Sequence, residues 1–197
     1  MGIKIRKNES KVTFEKNGGQ TNFQINHVEI DGLHVTWLES GKGKDLIFIP
    51  GWMGSWSIYI ELIAQLSKHY HVKILDLPGF SGDTEASSKT HDLFFYVDFV
   101  NKLIDKIQTK PFFLMGISLG GTVALLYSSL HPRKIKKIVV QSSPYRGKSM
   151  VYCKKPLIRL ASSLLSPTNL PRPLLKIWRH WFFFFGIEGI IKNMAWK

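Results

Sequence analysis

The feature that most constrains this chain is an alternation of two apolar periods through its middle. Leu46-Ile47-Phe48-Ile49 is a continuous apolar run, the pattern of a strand buried on both faces. Ser57 to Tyr70 then sets Ile58, Leu62, Ile63 and Leu66 on one helical face, and Val72 to Leu77 returns to strand. After Thr90, Leu93, Val97, Val100, Ile104 and Ile107 recur at steps of four and three, an amphipathic helix facing a core. Phe112 to Met115 is the next buried strand, Leu119 to Leu130 the next helix, and Ile135 to Val140 another strand. With a strand pair between His27 and Leu38, broken at Asp31-Gly32, this gives six strands. Such alternation predicts an α/β fold, a doubly wound, mostly parallel sheet with helices on both faces.

The 197 residues, 44% of them hydrophobic, suffice for one globular core. The single cysteine, Cys153, rules out an internal disulfide framework and a cysteine-built zinc site, and no metal or cofactor is expected. The basic start MGIKIRKNESK has no apolar run behind it, so it does not read as a signal peptide, and a cytoplasmic location is expected. The net charge of +13 is unevenly placed: residues 1–130 hold 13 basic and 13 acidic residues, whereas His131 to Lys197 holds 14 basic residues and only Glu188 as acid. That distribution speaks against a nucleic-acid footprint spread over the domain and allows at most weak contact with a membrane surface. The aromatic run Trp178 to Phe185 and its surroundings are too short for a membrane span, so no transmembrane segment is expected.

The sharpest chemical signal is Gly116-Ile117-Ser118-Leu119-Gly120-Gly121, set directly after one strand and directly before a helix rich in small residues. In that context G-x-S-x-G is a nucleophile elbow: Gly116, Gly120 and Gly121 keep a tight turn free of bulk and Ser118 is thrust out at a helix N-terminus. A second loop, Pro50-Gly51-Trp52-Met53-Gly54-Ser55-Trp56, leaves the carboxyl end of another strand and should share the crevice with Ser118. The backbone N–H groups of Trp52 and Leu119 form the natural oxyanion pair, with Gly51, Met53 and Gly54 shaping the loop. A third segment, Leu75-Asp76-Leu77-Pro78-Gly79-Phe80-Ser81-Gly82, follows the next strand.

In this order and spacing the three segments resemble the α/β-hydrolase superfamily, in its branch of small esterase-like enzymes, from about Asn26 to Tyr145. The resemblance implies a domain plan of a basic extension over 1–25, a hydrolase core over 26–145 and the start of a helical cap over 146–197. It implies acyl transfer to water, with Ser118 attacking an ester, thioester or amide of a small or acyl-chain substrate. Asp76 then corresponds to a structural aspartate that ties down the following loop. The family's acid and histidine follow the serine in chain order, beyond the cap. After Tyr145 the only carboxylate is Glu188 and the only histidine His180, so the core is expected to be incomplete at its C-terminus, with catalytic acid and histidine missing. His69, His71 and His131 belong at the sheet edge opposite Ser118, His27 and His34 read as strand histidines, and His91 and His180 are the remaining candidates for a base. Cys153 reads as inert. The exposed edge left by an incomplete sheet predicts self-association. The alternative is a noncatalytic binding or membrane-surface module that keeps the hydrolase fold.

Overall fold

The computed structural model describes residues 3–52, 54–80, 84 and 92–143. All of them fall in the unit Met1–Met150. The cap expected over 146–197, with Cys153, His180 and Glu188, lies outside the described residues, as do Met53 and His91.

Eight strands and three α-helices are described: β1 Lys4–Lys7, β2 Lys11–Lys16, β3 Gly19–Ile30, β4 Leu33–Ser40, β5 Lys44–Ile49, α1 Trp56–Leu66, β6 Tyr70–Leu75, α2 Leu93–Ile107, β7 Phe112–Ile117, α3 Leu119–Leu130 and β8 Ile135–Gln141. They form one sheet in the order β1-β2-β3-β4-β6-β5-β7-β8. Parallel pairing holds across β6-β5-β7-β8, as the alternation predicts. The other half of the sheet, from β1 to the β4–β6 pair, is antiparallel.

Two strands beyond the expected six come from residues 1–25, read from sequence as an extension outside the core. Val12, Phe14 and Phe23 there are buried, each contributing about 1.5–3 kcal/mol of apolar burial. The signal was present as period-two apolar pairs flanking Asn17-Gly18. That dipeptide closes the β2–β3 hairpin with φ of 52° and 77°, the conformation a two-residue hairpin turn requires. The strands are also tied to α1: Lys7 lies 5.5 Å over the Trp56 ring and Lys16 pairs with Glu61.

One boundary differs from expectation. Helix α1 stops at Leu66 instead of running to Tyr70, because Ser67 donates back to Ala64 O (2.9 Å) and His69 N to Leu66 O (3.0 Å), closing a turn. Gly41 nests against that turn, where a Cβ would come within 2.3 Å of Ser67 O and 2.2 Å of Tyr70 O. The buried face of α1 is Trp56, Tyr59, Ile60, Ile63 and Ala64 with Ile58, while Leu62 and Leu66 are only half-buried. Strand β2 packs on α1 as well as β6, which widens the covered stripe.

Residues on β5 divide the layers. Ile47 and Ile49 face the main core with Val97, Val100, Ile104, Val123 and Tyr127 of α2 and α3, while Phe48 points the other way, onto Tyr59 of α1 (ring centroids 5.0 Å). Helix α2 has the predicted spacing, and Asp92 caps it by accepting from Phe95 N at 2.8 Å. Helices thus cover both faces of the parallel strands. The carboxyl ends of β5, β7 and β8 come together at Ile49, Ile117 and Gln141.

Candidate active site

Ser118 occupies the single residue between β7 and α3, with φ 54° and ψ −122°. A side chain is rarely found there, and holding it costs on the order of 1–3 kcal/mol. The surroundings enforce it. Ser118 N donates to Gln141 O at the end of β8 (2.9 Å), and its carbonyl accepts from Gly121 N (3.0 Å) and Thr122 N (3.1 Å), the first bonds of α3. The side chain remains partly exposed at the carboxyl edge.

The elbow glycines are needed for close approach. A Cβ at Gly116 would stand 2.4 Å from Gly120 O, one at Gly120 2.2 Å from Ile49 O and 2.3 Å from Pro50 O, and one at Gly121 1.8 Å from Ser143 Oγ. Helix α3 therefore starts almost in backbone contact with the end of β5. Its dipole and first-turn N–H groups, that of Leu119 among them, favour negative charge beside Ser118.

The loop after β5 reaches the same place. A Cβ at Gly51 would lie 3.1 Å from Ser118 Cβ and 3.2 Å from Ile117 O, so loop and elbow touch. Gly54 N donates to Gly51 O (2.9 Å), closing a tight turn over Trp52, whose side chain is 51% exposed. Ser55 precedes α1 in extended conformation without capping it through its side chain. Tyr59, which the sequence does not single out, holds this turn from below. Its hydroxyl accepts from Gly51 N at 3.3 Å, and a Cβ at Gly54 would meet its ring at 2.9 Å. Burial pushes the Tyr59 hydroxyl above its ordinary pKa, partly offset by that N–H. The one cue in sequence was an aromatic residue about one turn into a helix that opens just after a glycine-rich loop.

Asp76 has the anchoring role implied for it. It is 1% exposed, its Oδ2 accepts from Thr84 N (2.9 Å) and its carbonyl from Thr84 Oγ1 (3.1 Å). Thr84 Oγ1 in turn accepts from Thr36 N at 3.0 Å, binding the loop after β6 to β4.

The histidines are distributed as the topology requires. His71 opens β6 and bonds Asp45 at 2.9 Å, and His131 closes α3 against Tyr127, both at the amino edge, away from Ser118; His69 lies in the turn before β6. His27 and His34 stand on β3 and β4 toward the carboxyl edge, with β6 and β5 between β4 and the strand of Ser118. Among the described residues no histidine or carboxylate bonds Ser118 Oγ. No group of three metal-ligating side chains occurs among the described residues either, and no described helix is long and apolar enough to cross a membrane.

Comparison with known proteins gives the same architecture. Residues 45–183 match the family model described as the alpha/beta hydrolase fold. Over 111 residues the chain is 31% identical to the pimeloyl-[acyl-carrier protein] methyl ester esterase of Photobacterium profundum, covering 56% of this chain and 41% of that one. Over 102 residues it is 24% identical to monoacylglycerol lipase abhd6-B of Xenopus laevis, covering 51% of this chain and 30% of that one. The crystal structure of a putative lipase from Acinetobacter baumannii superimposes with a TM-score of 0.62 at 23% identity, over 82% of this chain and 60% of that one, a likeness of fold. The chain spans about two fifths of the length of the esterases it matches. Because the family match takes in well over half of the residues and includes both the loop after β5 and the elbow, the chain belongs to the alpha/beta hydrolase fold family.

Proposed function

We propose that the protein is a serine ester hydrolase in which Ser118 is the nucleophile. The observation that carries this reading is the strained backbone of Ser118, at φ 54° between β7 and α3, flanked by glycines packed so closely that a Cβ on any of them would clash. Strain of this kind persists only where surrounding structure imposes it, and here it presents a partly exposed hydroxyl at a helix N-terminus. In the proposed reaction Ser118 Oγ attacks the carbonyl carbon, its proton passes through a base to the leaving alcohol, and water then releases the acid from the acyl-enzyme. The N–H groups of Trp52 and Leu119 hold the oxyanion, with Gly51, Met53 and Gly54 shaping the first of these donors and Gly116, Gly120 and Gly121 the second. By the family's chain order the acid and histidine come after Ser118, in sequence beyond the described residues.

For the substrate class, the relatives named above act on a methyl ester of an acyl group carried by a protein and on a monoacylglycerol. What these share is a carboxylic ester of an acyl chain, and we assign that class to this protein. A fluorophosphonate probe applied to the full-length protein should label Ser118, mapped by peptide mass. Hydrolysis of p-nitrophenyl acyl esters should fall by about 10³-fold or more in Ser118→Ala. An unlabelled Ser118, with equal turnover in wild type and variant, would overturn the assignment and leave a binding module on a hydrolase fold.

A further inference from the structure

The loop that carries Trp52 is fixed at both ends of one residue. Gly51 N donates to the Tyr59 hydroxyl at 3.3 Å, and Gly51 O accepts from Gly54 N at 2.9 Å. That carbonyl belongs to the same peptide unit as the N–H of Trp52, and no peptide bond among the described residues is cis. In a trans unit the N–H points opposite to the C=O, so the two bonds at Gly51 also set the direction of the Trp52 N–H. That N–H itself meets no acceptor among the described residues.

From this geometry we infer that Tyr59 is a positioning residue for ester hydrolysis: its hydroxyl holds the Gly51–Trp52 peptide unit with the Trp52 N–H aimed at the oxyanion. The inference rests on the reading of Ser118 as nucleophile. Tyr59 acts through Trp52 and not on the substrate. Gly51 and Tyr59 are both buried, so water has little access to replace the hydroxyl as acceptor. A buried N–H deprived of its partner is costly, and the backbone turns to find another. Gly51 has no Cβ to resist that rotation, which carries the next peptide unit and its N–H with it.

The ring of Tyr59 is held independently of its hydroxyl. It packs on Phe48 with centroids 5.0 Å apart, and Gly54 leaves room for it, since a Cβ there would meet Cε2 at 2.9 Å. Tyr59→Phe therefore removes the hydroxyl and keeps the packing. An oxyanion develops only on the way to the tetrahedral intermediate, so a misaimed donor lowers kcat and leaves KM nearly as it was.

The test compares wild type, Tyr59→Phe and Ile63→Val in the full-length protein, with p-nitrophenyl acyl esters as substrates and at a temperature where circular dichroism shows all three folded. Ile63 is fully buried one turn further along α1, and its variant measures what lost packing alone does. Ile63→Val should lower Tm and leave kcat unchanged. Tyr59→Phe should lower kcat by about 10- to 100-fold at nearly constant KM. Its affinity for an acyl trifluoromethyl ketone should weaken by the same factor. Addition of Ser118 Oγ to that carbonyl carbon leaves the ketone oxygen as an anion in the hole, the serine proton passing to the base. Unchanged kcat and ketone affinity in Tyr59→Phe, beside a wild type that Ser118→Ala inactivates, would overturn the inference and leave the hydrolase reading standing. An equal fall of kcat in Ile63→Val would do the same, by assigning the effect to packing. A wild type without Ser118-dependent turnover would overturn both.

Discussion

At the amino edge of the parallel strands, Asp45, His71, Lys73 and Gln108 bond one another. Asp45 Oδ1 accepts from His71 at 2.9 Å and Oδ2 from Gln108 Nε2 at 3.0 Å, while Lys73 Nζ donates to Gln108 Oε1 (2.9 Å) and Ile107 O (2.6 Å). At the carboxyl edge of the same strands Ser118 sits in a disfavoured conformation with its hydroxyl partly open. One edge satisfies its polar side chains, and the other spends stability to present one. The contrast separates residues that hold the fold from the residue proposed to do chemistry, without reference to any relative.

The sharpest way to break this contrast is to crowd the carboxyl edge. Gly120→Ala places a methyl 2.2 Å from Ile49 O, backbone against backbone, and should destabilise the protein by about 3 kcal/mol or more, read from urea denaturation. A loss under ~1 kcal/mol would mean that elbow and β5 can part easily, and the strain argument would fail with it. A smaller effect of opposite sign is expected at Ser118. Ser118→Gly relieves the left-handed φ and should stabilise by about 1 kcal/mol, whereas Ser118→Ala keeps the Cβ and should leave stability nearly unchanged. Equal midpoints for the two variants would show that the backbone stores no strain.

The amino edge should respond through pH. Burial alone would raise the carboxyl pKa of Asp45, but hydrogen bonds from His71 and Gln108 and the nearby Lys73 ammonium outweigh it and hold it below its ordinary 3.8. A carboxyl lowered in the folded state contributes stability above its unfolded pKa and loses it as pH falls through the folded one. Asp45→Asn should therefore melt below wild type at pH 7, and the gap should close as pH falls below about 4. A gap that stays constant from pH 7 to 3 would assign the effect to packing instead of charge.

The readable parts of the molecule were those where one residue type serves one local purpose. Gly116, Gly120 and Gly121 around Ser118 announce a tight turn because nothing larger fits, and the four-and-three spacing from Leu93 to Ile107 announces α2. Lys73 was opaque: it interrupts an apolar strand and is 8% exposed, and only tertiary structure supplies Gln108 and the Ile107 carbonyl to receive its charge. Tyr59 is similar, since its hydroxyl matters only once α1 lies beneath the loop at Gly51. The strands of residues 4–25 were hidden differently. Their apolar positions are few and separated by lysine, asparagine and glutamine, so composition masked a period-two pattern whose turn residues, Asn17-Gly18, were plain.

The contacts that fix Ser118 come from Ile49 and Pro50 on one side and Gln141 on the other, so the conformation depends on segments more than ninety residues apart in sequence. Hairpins such as β2–β3 and β3–β4 close between neighbours, whereas β5, β7 and β8 meet only after three crossovers. Contacts of such long range carry a large loop-closure cost and slow folding. Ser118→Gly is expected to slow unfolding and to leave the refolding rate nearly as it was, the outcome for a strain taken up after the folding barrier; an equal gain in the refolding rate would place the strain before it.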